Sequence, residues 1–326
     1  MDAVRYHEHG DESVMQLETV EKPTPGPTDA LVEIRAVGVN PVDAKIREGA
    51  LPAKRELPQT VGTDLAGRVT AVGDKVEALE PGDRVYGTGF GWHDPGTYAE
   101  YAAVPADRLA PLPESVSFRD GAAVALVGAT AWQALVRRGS LTVGDTCLIH
   151  GGTGGVGHVA VQIAVGAGCQ VVATARAGRP LEIVENFGAV GVNYRSSTFP
   201  KDLETALDGR LADLVLETHA SENLTADLHV TGRDSTILLI GTQGPLEMSG
   251  GDALGAMLDR VDVRFSSIMT SPEIHREALG RLGQLLADGT VTPLVAESYG
   301  LVDAAAALEH AQTSGVLGKV VIELDS

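Results

Sequence analysis

The sequence is poor in cysteine, in lysine and in positive charge overall, and each shortage excludes something. The two cysteines among 326 residues, Cys147 and Cys169, make no disulfide framework and read as small core hydrophobes. Basic residues number 25 against 44 acidic ones, for a formal net charge of −19. Such a chain repels nucleic acid and anionic membrane surfaces, so neither is expected as a partner. Of the basic residues only 6 are lysine and 19 are arginine. An acid-rich, lysine-poor surface holds water and cations at high salt and fits a halophilic source; an ordinary acidic protein from a GC-rich genome is the alternative. No apolar run approaches the ~20 residues of a membrane span. The start, Met1-Asp2-Ala3-Val4-Arg5-Tyr6, lacks the charged-then-apolar order of a signal peptide, so a cytoplasmic protein is expected. There is no solenoid-type repeat and no low-complexity linker, and the nine histidines show no metal-ligand spacing.

What is present falls into two textures. Up to about residue 120, short strands recur between Gly, Pro and Asp turns. Ala30 to Val39 alternates at period two. Arg68 to Gly73, Arg84 to Gly87 and a strand beginning within Gly96 to Tyr101 follow. This pattern predicts a β-rich, barrel-like unit. From Ala122 the chain becomes alanine-rich and helical to Arg138, then alternates strands with helices. Strands are expected at 146–150, 170–175, 214–218, 237–241 and 264–269, with helices at 156–167, 181–186 and 223–229. That alternation predicts parallel βαβ units. Helices at 272–288 and 300–313 and an apolar strand at 318–324 close the chain.

The second texture opens on a glycine turn. An apolar strand breaks into Gly151-Gly152-Thr153-Gly154-Gly155-Val156-Gly157, and an apolar helical pattern follows. Gly152, Gly154 and Gly157 match G-x-G-x-x-G between a strand and a helix, which is the arrangement of a dinucleotide site. The glycines allow a tight turn, close approach to a pyrophosphate and helix packing, and the helix N-terminus offers free N–H groups to phosphate.

Several ordered motifs then make the chain recognisable: Asn40-Pro41-Val42-Asp43, Gly62-Thr63-Asp64-Leu65-Ala66-Gly67, Gly82-Asp83-Arg84-Val85, Gly96-Thr97-Tyr98-Ala99-Glu100-Tyr101, Ala129-Thr130-Ala131, the glycine loop, and Gly315-Val316-Leu317-Gly318-Lys319-Val320-Val321. Together they resemble the zinc-independent quinone oxidoreductase branch, the zeta-crystallin-like group, of the medium-chain dehydrogenase/reductase superfamily. The resemblance implies an α/β protein in which a GroES-like β-rich catalytic domain (1–121 and 269–326) is interrupted by a Rossmann doubly wound parallel-sheet domain (122–268), with the active site in a cleft between them. It implies a homodimer, for which 261–269 is the candidate edge.

The nucleotide follows from the second strand of the Rossmann unit. An NAD site places Asp or Glu after it, on the ribose 2′-hydroxyl. Here stand Ala173-Thr174-Ala175-Arg176, with Arg179 soon after and no acid. Arginine pairs bidentately with phosphate, so these two favour the 2′-phosphate of NADPH; as solvated loop residues they would leave the enzyme open to either nucleotide. By resemblance, Thr130, Tyr194, Thr218, Gly241, Thr242 and Lys319 join Gly152, Thr153, Gly154, Gly155, Val156 and Gly157 in holding the cofactor. Lys319 as a surface lysine opening a strand is the other reading.

Zinc members of the superfamily carry a cysteine near Asn40 and a histidine near Gly62. This chain has no cysteine before Cys147 and no histidine between Ala44 and Trp92, so no metal is expected. Without a Lewis acid the hydride acceptor must already be electrophilic, as quinones and conjugated enones are. By resemblance Asn40 orients acceptor and nicotinamide, and Asp43 and Thr63 belong to the catalytic set; as plain turn and cap residues they would do neither. Lys45 departs from the tyrosine found in many quinone reductases and is similar to the plant-type branch with quinone reductase-like and alkenal or enone reductase members. It either hydrogen-bonds or protonates in the site, or points to solvent. The expectation is an NADPH-dependent quinone oxidoreductase, with an alkenal or enone double-bond reductase as alternative and a low-turnover NADPH-binding structural or regulatory protein as the alternative of another class.

Overall fold

The computed structural model describes residues 1–51, 56–270 and 272–324. They form two compact units. One comprises Met1–Ala129, Ile268–Gly289 and Pro293–Ser326, the other Thr130–Ser267 and Thr290–Thr292.

In the first unit, β1 (Asp2–Tyr6) pairs antiparallel with β2 (Gln16–Thr19). The period-two alternation becomes β3 (Asp29–Val39), which runs into α1 (Pro41–Arg47). β4 (Gln59–Thr60) pairs with β1, and β5 (Leu65–Val72), β6 (Arg84–Gly87), β7 (Tyr101–Pro105) and β8 (Leu109–Pro111) follow. The strand expected from Gly96 thus starts at Tyr101; Thr97 and Tyr98 instead donate to the Val61 carbonyl across a loop. α2 (Phe118–Trp132) then leads out, and its first turns stay with the first unit, up to Ala129.

The second unit alternates as the sequence predicts: β9 (Thr146–Ile149), α3 (Gly155–Gly166), β10 (Gln170–Ala175), α4 (Arg179–Asn186), β11 (Val190–Asn193), α5 (Phe199–Ala206), β12 (Ala212–Glu217), α6 (Ala220–Val230), β13 (Thr231–Leu239), α7 (Gly250–Asp259) and β14 (Asp262–Phe265). All six strands are parallel, in the order β11-β10-β9-β12-β13-β14. Strands β11 and helices α5 and α7 escaped the sequence reading, because β11 is only four residues and its Gly191 breaks the apolar run. Leu148, Val172, Val215 and Ile237 share one face of this sheet with Leu203 and Leu224 from the helices.

The chain then returns to the first unit with α8 (Pro272–Ala287), β15 (Val295–Tyr299), α9 (Ala304–Gln312) and β16 (Lys319–Glu323). The helix expected from Gly300 is α-helical only from Ala304; Leu301–Asp303 form a 3-10 turn. β16 pairs antiparallel with β3 in a seven-stranded sheet running β15-β16-β3-β5-β6-β8, with β7 also on β3. Val32, Ile34, Val39, Val61, Leu65, Tyr98 and Ile322 are buried together there. Each fully buried aliphatic side chain contributes roughly 1.5–3 kcal/mol. Among the described residues no helix is long and apolar enough to cross a membrane.

Candidate functional site

The glycine turn lies where the parallel sheet reverses its winding, between β10 on one side of β9 and β12 on the other. The residue that makes the turn is Gly151, with φ +65°, one position before the G-x-G-x-x-G. A Cβ at Gly152, the first glycine of the motif, would meet Ala173 Cβ and Val184 Cγ1, each at 2.9 Å, so glycine there serves packing rather than the turn. A Cβ at Gly157 would lie 2.0 Å from the Gly151 carbonyl oxygen, so the first turn of α3 can rest on the loop only with glycine there. α3 begins at Gly155 with Gly154 as its N-cap and no side-chain cap. Its leading N–H groups therefore remain for an anion. Thr153 is buried, and Gly154, Gly155 and Val156 are half-buried. This backbone fits a dinucleotide pyrophosphate.

Other sequence-predicted positions gather at neighbouring strand ends. A Cβ on Gly151 would lie 3.3 Å from Thr218 Oγ1, and one on Gly241 would lie 2.5 Å from the Thr218 carbonyl oxygen. Thr242 is exposed, its hydroxyl donating to the Gly244 carbonyl at 2.9 Å. At the end of β10, the Tyr194 N–H donates to the Ala175 carbonyl at 3.2 Å, which sets the tyrosine beside Arg176. Arg176 is half-buried, Arg179 is exposed at the first turn of α4, and Tyr194 is 42% exposed. Thr130 is buried in α2 at the start of the second unit.

The first unit carries a separate polar cluster in its core. Asn40-Pro41-Val42-Asp43 starts α1: proline sits in the first turn, and the Asn40 N–H donates to Asp43 Oδ2 at 2.9 Å. The Asn40 side chain is committed elsewhere. Its Nδ2 donates to Gly38 O at 3.1 Å, Thr63 Oγ1 at 3.1 Å and Asp64 Oδ2 at 2.8 Å. Its Oδ1 accepts from Lys319 Nζ at 2.5 Å, and the same ammonium donates to the Val39 carbonyl. Tyr98 Oη donates to Asp43 Oδ2 at 2.9 Å. Asn40, Asp43, Thr63, Asp64, Tyr98 and Lys319 are all at most 3% exposed. Burial pushes the Asp43 carboxyl up to about 6, against the Asn40 N–H, the Thr63 hydroxyl and the Tyr98 hydroxyl, which favour its charged form. Burial pushes Asp64 up to about 7, against the attraction of Lys319. Burial also lowers Lys319, while the two carboxylates oppose that. Lys319, expected beside the cofactor, is thus the buried cation of the Asn40 cluster, and Lys45 lies on the exposed side of α1.

Asp64 and Tyr98 were missed as site residues. The available signal was an acid beside Thr63 in the mostly apolar Val61–Ala66 segment, since a buried carboxylate needs partners. Zinc is held by thiolate, imidazole and carboxylate. Here an amide, a hydroxyl and a lysine ammonium accompany the two acids, and these do not fit a zinc site.

Two family profiles match the chain: the alcohol dehydrogenase GroES-like domain over residues 26–114 and the zinc-binding dehydrogenase over residues 188–322. The quinone oxidoreductase of Mus musculus is 34% identical over 331 residues, covering 99% of this chain and 98% of its own. The chain belongs to the quinone oxidoreductase family of the medium-chain dehydrogenase/reductase superfamily. Among solved structures, the Escherichia coli quinone oxidoreductase in complex with NADPH aligns with a TM-score of 0.87 at 26% identity, over 99% of this chain and 100% of that one. An NAD-dependent alcohol dehydrogenase aligns with a TM-score of 0.90 at 29% identity over all of both chains. The mixed α/β architecture, GroES-like sheet unit and Rossmann unit expected from the sequence are those of this family.

Proposed function

We propose that this chain is an NADPH-dependent quinone oxidoreductase that works without a metal. The observation that carries the reading is full-length similarity to a quinone oxidoreductase at 34% identity. The nucleotide supplies a hydride when bound. The glycine loop and the α3 N-terminus hold its pyrophosphate, Thr218 and Gly241 border the loop, and Arg176 and Arg179 favour a 2′-phosphate. Thr130, Thr242 and Tyr194 are proposed as further nucleotide contacts.

Asn40, Asp43 and Thr63 are proposed to orient the acceptor. Of the two buried carboxyls, Asp64, raised to about 7, exchanges its proton near neutral pH, which suits a reaction that must deliver one to a reduced acceptor, while Asp43, raised to about 6, is mostly ionised there. Lys319 fixes Asn40 through its hydrogen bond to Oδ1, and it is proposed as a cofactor contact from that place. The exposed position of Lys45 favours the quinone reading over the enone one. The protein is proposed to be cytoplasmic, adapted to high salt, and a homodimer through β14 and α7, where Leu254, Met257, Leu258 and Phe265 are 54–68% exposed.

The deciding experiment follows loss of NADPH and NADH absorbance with a panel of quinones and enals, in low and in molar KCl. Turnover of quinones with NADPH supports the reading. Turnover of enals alone transfers it to the double-bond reductases, and tight NADPH binding without turnover of any acceptor transfers it to a non-enzymatic role.

A further inference from the structure

Directly beneath the glycine loop lies a charged triad in the core of the second unit. His150, the last residue before Gly151, has its Nε2 2.7 Å from Asp227 Oδ1 and 3.5 Å from Glu217 Oε2. The side chains of His150, Glu217 and Asp227 are 2%, 0% and 0% exposed. Burying three ionisable groups is costly, and a folded chain keeps them only where they are paired. Burial works against the charged imidazole, but the Asp227 and Glu217 carboxylates outweigh it and hold His150 above its ordinary value. The contact to Asp227 is therefore a charge-assisted hydrogen bond. Phe199 closes the other side of the ring, edge-on at 6.5 Å.

The far side of the imidazole points at the loop. His150 Nδ1 lies 3.3 Å from Thr174 Oγ1, at the end of β10. That hydroxyl accepts the backbone N–H of Gly151 at 3.0 Å, and the Thr174 carbonyl accepts the N–H of Gly152 at 2.8 Å. With Nδ1–H donating to Thr174 Oγ1, the hydroxyl receives two donors and stays put. Glu217 also accepts the His219 N–H, which orders Thr218 beside Gly151. Four segments, β9, β10, β12 and α6, are thus tied to one imidazole at the point where the sheet reverses its winding.

We infer that His150, anchored by Asp227 and Glu217 and acting through the Thr174 hydroxyl, is a positioning residue that holds the glycine loop in its pyrophosphate-binding shape. None of these four side chains needs to touch the nucleotide. The inference deepens the proposed function, because it rests on nucleotide binding at this loop.

The test compares Thr174→Val, which keeps shape and removes the hydroxyl, with Thr174→Ser, which keeps the hydroxyl, and adds Asp227→Asn to uncharge the anchor. Expected for Thr174→Val is an NADPH KM raised about tenfold, the size of one lost hydrogen bond to an ordered loop, with kcat at saturating nucleotide within about twofold. Thr174→Ser restores the KM, and Asp227→Asn raises it in the same sense. Hydrogen exchange of the Gly151–Gly157 amides, read without any ligand, rises in Thr174→Val and not in Thr174→Ser. A Thr174→Val enzyme with wild-type KM and wild-type loop exchange overturns the inference. So does a fall in kcat and thermal stability with no change in KM, which marks a structural role only. If the wild-type protein binds neither NADPH nor NADH, the proposed function fails, and the exchange comparison decides the positioning role by itself.

Discussion

The ammonium of Lys319 lies 2.5 Å from the amide oxygen of Asn40, across 279 residues of sequence. It brings the last strand of the chain onto the turn between β3 and α1. It also supplies the positive charge in a pocket of the core that holds two carboxyls. The pair explains why a lysine is completely buried in a lysine-poor protein: without it, Asn40 Oδ1, the Val39 carbonyl and two acids would face each other with no cation.

Replacing Lys319 with methionine keeps the volume and removes the charge. Breaking a buried, hydrogen-bonded ion cluster typically costs about 3–5 kcal/mol, so the Lys319→Met protein should unfold at clearly lower denaturant. Lys319→Arg should not rescue it, because a planar fork cannot replace a point donor in a closed site. Urea midpoints of the three proteins check this; a Lys319→Met midpoint equal to the wild type would remove the cluster from the stability of the first unit.

The same cluster makes stability depend on pH in a definite direction. An unfolded aspartate titrates near about 4, whereas folded Asp64 is raised to about 7. The folded protein therefore holds a proton that the unfolded chain has released between those values. This contribution is complete below about pH 4 and is lost as pH rises through about 7. Asp64→Asn carries no such proton. Its stability relative to wild type should improve from pH 5 to pH 8 by roughly 1 kcal/mol or more. Denaturant melts at both pH values measure the difference, and a constant gap would show that Asp64 is ionised throughout.

Gly157→Ala tests the loop itself. Its new Cβ would fall 2.0 Å from the Gly151 carbonyl oxygen, so loop or helix must move. Nucleotide affinity should drop by at least about a hundredfold, since a displacement of about 1 Å is enough to misplace a positioned group. Fluorescence titration with NADPH reads the affinity, and circular dichroism verifies that the fold survives. Wild-type affinity would mean that the nucleotide does not use this turn.

Arg176 and Arg179 are proposed to decide between nucleotides. Changing both to serine should weaken NADPH by about tenfold or more, as one charge-assisted phosphate contact warrants, and leave NADH nearly unchanged. The ratio of kcat/KM for the two nucleotides is the measurement. An unchanged ratio would assign both arginines to the solvated surface.

Leu258→Asp and Phe265→Asp place a charge in the exposed apolar patch of α7 and β14. The residues are 67% and 65% exposed, so the single chain should tolerate the change. Sedimentation of the wild type as a dimer and of both variants as monomers is the expected outcome. A monomeric wild type would end the proposal of a homodimer.

How much of this was legible beforehand depends on the range of the forces involved. The period-two run of β3, the strand–glycine–helix sequence from Cys147 to Ala167 and the alternation of βαβ units are local patterns, and they declared the two textures, the glycine turn and the acid-free end of β10. Strand β11 was hidden by its shortness. The role of Gly151 was hidden because the motif's spacing does not say which glycine carries the positive φ.

In the sequence by itself, the ordered motifs carried the resemblance to the family, while near-neighbour periodicity and glycine geometry determined the two kinds of unit and the residue types at the loop. Only the tertiary structure decided that Lys319 serves Asn40, that Asp64 and Tyr98 complete its cluster, and that His150 reaches Asp227 and Thr174. Those partners lie 24 to 279 residues apart, and the energy of pairing a buried charge exists only once the surrounding core has excluded water.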